Sequence, residues 1–242
     1  MKRTTRGQLS TRAQAFLHAR ATKVANSKDK VGEVDRLWQL QSNSAFKEVR
    51  EMLRQMASGI QRCMYCEDSL GTDIEHFWPK SQHPERAFDW LNFLLACSYC
   101  NSNAKRSQFP LDANGAPLLI DPTAEDPAAY LQFVPETGSF VSSTPKGEKS
   151  IEVFGLDRQT LEQGRRNAWV TILALLEMYA QLKAAGDLVR TKILATVLRQ
   201  HSFSAVLQYA IRIAQQPMAH TAIPASVLEL VRNNKEIQEW AT

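Results

Sequence analysis

The chain's four cysteines form two CxxC pairs, Cys63–Cys66 and Cys97–Cys100, with none left over. No other feature constrains the fold as tightly. A CxxC turn points two thiolates at one ion, and two such turns complete the tetrahedral four-sulfur set that zinc adopts in closed sites. Paired disulfides are the competing use of four cysteines, and a reducing compartment disfavours them. Cys63, Cys66, Cys97 and Cys100 are therefore expected to hold one structural Zn2+. A closed site has no open coordination position, so this ion would organise the fold and leave any reaction to other residues.

With 242 residues, 44% of them hydrophobic, the chain is long enough to bury a core of its own. The basic start, Met1-Lys2-Arg3, is not followed by the apolar segment of a leader. No run approaches the roughly 18 apolar residues of a membrane span. A cytoplasmic location with no membrane partner is the expectation. The formal net charge of +4 is unevenly spread. In residues 1–30, Lys2, Arg3, Arg6, Arg12, Arg20, Lys23, Lys28 and Lys30 face a single acid, Asp29. Such an arm can track phosphates by releasing counterions, or it can be a solvated helix face.

Residues 1–60 read as helical. Ser10 and Thr11 can cap a helix in which Ala13, Phe16, Leu17, Arg20, Ala21 and Val24 recur at helical spacing until Asn26-Ser27-Lys28-Asp29. A second helical stretch runs from about Glu33 to Ser58-Gly59, interrupted at Gln41-Ser42-Asn43-Ser44. It lines up Phe46, Val49, Leu53, Met56 and Ile60. Residues 61–111 lose all period and are rich in cysteine, aromatic, Asn and Pro residues, as expected of a small unit organised by a metal. Residues 112–156 carry turn signals and apolar runs at 118–120, 130–134 and 151–154, which predict turns and short strands. Residues 157–242 return to helix, with Trp169, Ile172, Leu173, Leu176 and Ala180 on one stripe. Further helices are expected over 187–200 and 202–215, and a last one toward Trp240. The expected fold class is mainly α, with helices around a zinc-stabilised insert and a few short strands.

A zinc ribbon or binding module would show the same cysteines, so the residues between and after them must discriminate. In order these read CMYC (63–66), DIEHFWPK (73–80), DWLNF (89–93) and CSYCNSNAK (97–105). This pattern resembles the HNH endonuclease family, whose ββα-metal motif carries a histidine at the end of a first strand, an asparagine in the connecting loop and a His or Asn on the helix. The resemblance implies that His76 is the general base, that Asn92 pins the loop and orients it, and that Glu75 and Asn101 hold a catalytic Mg2+ or similar divalent ion. Such a set supplies an activated water, charge stabilisation and help for the leaving oxygen. Adjacent strand residues point to opposite faces, so Glu75 and His76 reach one phosphate only if the chain bends there. Lys80, Lys105 and Arg106 are candidate nucleic-acid contacts, Lys105 by lying four residues after Asn101 on the same helical face.

The longer agreement, through Phe88-Asp89-Trp90 and Phe109-Pro110 to Leu119-Ile120-Asp121-Pro122, is similar to the PtuB-type HNH proteins of Septu anti-phage systems and related retrons. It implies a defence effector partnered with a PtuA-type ABC/SMC-like ATPase and, in the retron branch, with a reverse transcriptase and its msDNA. DNA is the family's default substrate, and RNA such as tRNA stays open because the motif contacts phosphate alone. The competing expectation is a catalytically silent zinc module that binds nucleic acid or serves an ATPase complex as an adaptor.

Overall fold

A computed structural model describes residues 1–240. Residues 241 and 242, the end of the expected C-terminal helical region, lie outside the described residues. The protein is mainly α, with a few short strands. Three helices open it: α1 (Thr11–Asn26), α2 (Lys30–Trp38) and α3 (Ser44–Met56). Each begins at a side-chain cap: Ser10 Oγ accepts from Ala13 N–H, Asp29 from Gly32 N–H and Asn43 from Phe46 N–H. Phe46, Val49 and Leu53 of α3 are wholly buried, whereas Ile60 is 61% exposed. The helix stops at Met56 and Gly59 takes a left-handed φ of 57°, so Ile60 falls off the stripe the sequence suggested.

Two members of the basic arm also prove structural. Arg20 is buried and donates to the carbonyls of Leu37 and Leu40, which ties α1 to the end of α2. Arg6 donates to the carbonyls of Trp90, Leu91 and Phe93 and to the Thr123 hydroxyl. Neither guanidinium is free to track phosphate.

The central segment contributes β1 (Asp73–His76) and β2 (Phe93–Ala96), an antiparallel pair with Asp73 opposite Ala96 and His76 opposite Phe93. A second hairpin follows, β3 (Gln132–Val134) with β4 (Ser139–Val141). The apolar run at 151–154 is not a strand. It ends helix α4 (Pro145–Phe154), which Thr144 caps and Pro145 starts, and these entry signals outweigh the local β-propensity. No named strand forms over 118–120 either.

The remaining helices are α5 (Gln159–Ala184), α6 (Leu188–Arg199), α7 (Ser204–Ala214), α8 (Ala225–Asn233) and α9 (Lys235–Glu239). Helix α5 is the axis on which α6, α7 and α8 pack. Its Trp169 meets Phe133 of the second hairpin, which also contacts Phe140 and Tyr209. Among the described residues no helix is long and apolar enough to cross a membrane.

Two buried polar groups join these parts. Glu67, directly after the first cysteine pair, accepts at 3.1 Å from Ser58 Oγ, Ser204 Oγ and Ala205 N–H. Arg165 on α5 is fully buried, donates to the carbonyls of Gly138 and Leu156, and lies over the Phe140 ring. The β3–β4 turn is pressed so closely to α5 that a Cβ on Gly138, whose φ is +73°, would stand 2.1 Å from the Glu162 carbonyl oxygen. Gly138→Ala is therefore expected to cost at least about 2 kcal/mol, read as a lowered urea midpoint with unchanged slope. A midpoint equal to wild type would count against this packing.

Candidate metal clamp and ββα site

Cys63 and Cys66 lie in the turn after α3, Cys97 directly follows β2, and Cys100 is in a π-helix over Tyr99–Lys105. All four are buried, and their sulfurs lie within 4.8 Å of one another. A tetrahedron with Zn–S bonds of about 2.3 Å has S···S edges of about 3.8 Å, and the Cys66 and Cys97 sulfurs are 3.9 Å apart. Cys100 N–H also points at Cys97 Sγ, at 3.5 Å, a donor suited to a thiolate. The donor set and its spacing fit a zinc ion. The backbone brings the two cysteine turns together, because Met64 N–H donates to the Leu95 carbonyl of β2 at 2.8 Å.

Strand β1 sends alternate side chains to its two faces. On one face lies the π-helix. Asn101 Nδ2 donates to Asp73 Oδ2 at 3.0 Å, and Lys105 Nζ stands 2.7 Å from Glu75 Oε1 and donates to the His76 carbonyl at 2.8 Å. Burial pushes the Glu75 carboxyl up to about 7, even though the Lys105 ammonium pulls it the other way.

The imidazole of His76 goes to the opposite face. Its Nε2 is 3.0 Å from the Ala87 carbonyl oxygen. A carbonyl only accepts, so Nε2 carries the proton and Nδ1 keeps the basic lone pair. The ring lies 4.3 Å from Trp38 and 5.3 Å from Phe93, centroid to centroid. Burial holds its pKa down to about 4, opposed by the Ala87 hydrogen bond and reinforced by the charges of Lys80 and Lys105.

The expected site residues are therefore divided. Glu75 and Asn101 do not share an opening: the first faces Lys105 and is 3% exposed, while the second is bonded to Asp73. Magnesium keeps several waters, and the Glu75–Asn101 set in this arrangement does not fit it. Asn92 is buried, accepts from Trp78 N–H and donates to the carbonyls of Trp78 and Arg86, which pins the loop between β1 and β2. Of the three basic residues expected to meet phosphate, Lys105 is wholly buried and lies beyond a ligand's reach. Lys80 is paired with Asp35 of α2, and Arg106 is exposed at the helix end. Sequence reasoning missed Asp73, Trp38 and the Ala87 carbonyl. Only Asp73 left a signal, because a period of two puts it on the same face as Glu75.

No family model matches the chain. It is 32% identical over 154 residues to Septu protein PtuB of Bacillus mycoides (strain KBAB4), an alignment covering 50% of this chain and 51% of that protein. The chain is related to Septu protein PtuB. A second Septu protein PtuB, from Bacillus thuringiensis, is 27% identical over 102 residues, covering 40% of this chain and 37% of the relative. The chain thus spans about half the length of the first PtuB relative and less of the second.

Two outcomes follow from this geometry. Cys100→Ser should lower the metal content from about one tightly held zinc per chain toward none and destabilise the fold, as read by elemental analysis and thermal unfolding. A variant with full zinc and an unchanged transition would remove the clamp. For His76, the folded chain takes up the ring proton only near pH 4 while the unfolded chain does so near its ordinary 6.5. The stability it contributes is complete above pH 6.5 and drains as pH falls toward 4. Between pH 7 and 4, wild type should lose about 3 kcal/mol more than His76→Phe, which has no proton to bind. Equal losses in urea titrations at both pH values would show that the ring is not buried neutral.

Proposed function

We propose that this chain is an HNH-type endonuclease that hydrolyses phosphodiester bonds as the effector of a Septu-type anti-phage system, working with a PtuA-type ATPase. The observation that carries the reading is the ββα unit itself: a two-stranded hairpin and a helix closed by four thiols, with a neutral histidine at the end of the first strand. Relatedness to Septu protein PtuB supports the defence role. DNA is the default substrate and RNA the alternative, since recognition of phosphate carries no sequence or sugar information.

In this reading Cys63, Cys66, Cys97 and Cys100 hold zinc, which supplies rigidity to the hairpin and helix. His76, kept neutral by burial and in one tautomer by Ala87, takes the proton of the attacking water at Nδ1. Asn92 fixes the loop that carries the Ala87 carbonyl, and so the ring. Arg106, exposed at the end of the helix, is the candidate phosphate contact.

The Glu75–Lys105 pair favours a second reading, a catalytically silent zinc-dependent subunit that binds nucleic acid or serves the ATPase as an adaptor. One experiment separates the two. The chain is co-expressed with a PtuA-type ATPase from the same genome, and DNA and RNA are sequenced after phage challenge. Wild type should leave new strand ends, and His76→Ala should lower them by at least about 100-fold. Equal cleavage by wild type and His76→Ala would reject His76 as the base, and no cleavage by wild type would favour the silent subunit.

A further inference from the structure

Lys105 is the most completely buried cation of the central unit, and phosphate contact does not explain it. A buried ammonium is costly unless its donors are used. Here the ammonium lies 2.7 Å from Glu75 Oε1 as a charge pair and donates one hydrogen bond, to the backbone carbonyl of His76 at 2.8 Å, and Phe109 closes the site with its ring 6.0 Å away. The carbonyl it grips belongs to the last residue of β1. The same residue's side chain leaves for the opposite face, where Ala87 and Trp38 receive it. His76 is thus held by its backbone from the helix side and by its ring from the α2 side.

Lys105 is also the last residue of the π-helix that starts at the second cysteine turn, closed by Arg106 N–H donating to the Asn101 carbonyl at 2.8 Å. A continuous covalent path therefore runs from Cys97 and Cys100 to the ammonium that touches His76. We propose that Lys105 is a positioning residue: paired with Glu75, it fixes the strand end from which the imidazole of His76 projects, and so couples the cysteine clamp to the base. This inference rests on the nuclease reading for its catalytic consequence, but its structural claim is independent of activity. It gives Glu75 a role on the same side of the strand, as partner of Lys105.

The test uses the full chain with its ATPase and two variants. Lys105→Met alone strands the Glu75 carboxylate in the core and can unfold the unit. The double variant Glu75→Gln/Lys105→Met removes both charges at similar volume, a change that buried pairs often tolerate. The readouts are zinc content, the ring resonances of the five histidines by proton–carbon NMR, and kcat and KM for cleavage. A folded double variant with full zinc should show a displaced His76 resonance, unchanged resonances for His18, His201 and His220, and a kcat lowered about 100-fold at similar KM. A residue needed only for packing would leave kcat at the wild-type value once the fold is restored. An unmoved His76 resonance overturns the proposal whatever the activity, and so does a displaced resonance with wild-type kcat. If wild type cleaves nothing while His76 still moves, the positioning claim stands and the nuclease reading falls.

Discussion

The convergence of four thiols within one small volume is the constraint from which the central unit follows. Strands β1 and β2 have four residues each, too short for a hairpin to be stable in water by itself. One cysteine turn pairs with β2 through Met64 and Leu95, and the other continues β2 into the π-helix. Closing the sulfurs on one another therefore fixes hairpin, helix and loop at once. Without that closure, Asn101 and Lys105 would have no defined relation to the strand they face.

The surrounding helices are attached to this unit at specific points. Tyr65, inside the first cysteine turn, stacks on Phe154 at the end of α4, at 3.9 Å between centroids. Glu67, immediately after that turn, accepts from the end of α3 and the start of α7. On the other side, Trp38 of α2 covers His76, and Lys80 pairs with Asp35. Apart from Ser58 to Glu67, each contact joins segments far apart in sequence, which is why a mainly helical protein can hold so short a β unit rigidly.

Much of the helical frame was legible because its signals are local. Ser10 caps α1 through a hydrogen bond that closes within three residues, and Gly59 marks a left-handed exit, whereas Asp29, Asn43 and Thr144 cap helices from segments whose composition signals only a break or a turn. The run Ile151–Phe154 misled because β-branched and aromatic residues favour strands only when packing agrees, and here a cap and a proline had already started a helix. The cysteines were legible because their chemistry leaves few options. The site was legible only in part. Strand alternation foretold that Glu75 and His76 diverge, but the partner each finds, Lys105 and the Ala87 carbonyl, depends on how a helix and a loop pack against the hairpin. No spacing rule encodes that. The basic arm was equally ambiguous, since Arg6 and Arg20 look like solvated charges until their carbonyl partners are seen.

The π-helix over Tyr99–Lys105 restricts what this segment can become. A π turn is an α-helix holding one surplus residue, and its i→i+5 bonds leave that residue without a place in the ordinary ladder. Removing one residue between Asn101 and Lys105 would restore regular winding with the two ends in nearly the same relation, whereas adding one would swing one end by about 100° relative to the other. Asp73 and Glu75 are anchored in the strand and cannot follow. Exposed Ser102 and Asn103 can thus vary in kind, while the number of residues between the two contacts cannot grow. Among descendants of this chain, substitutions should accumulate there freely and insertions should not.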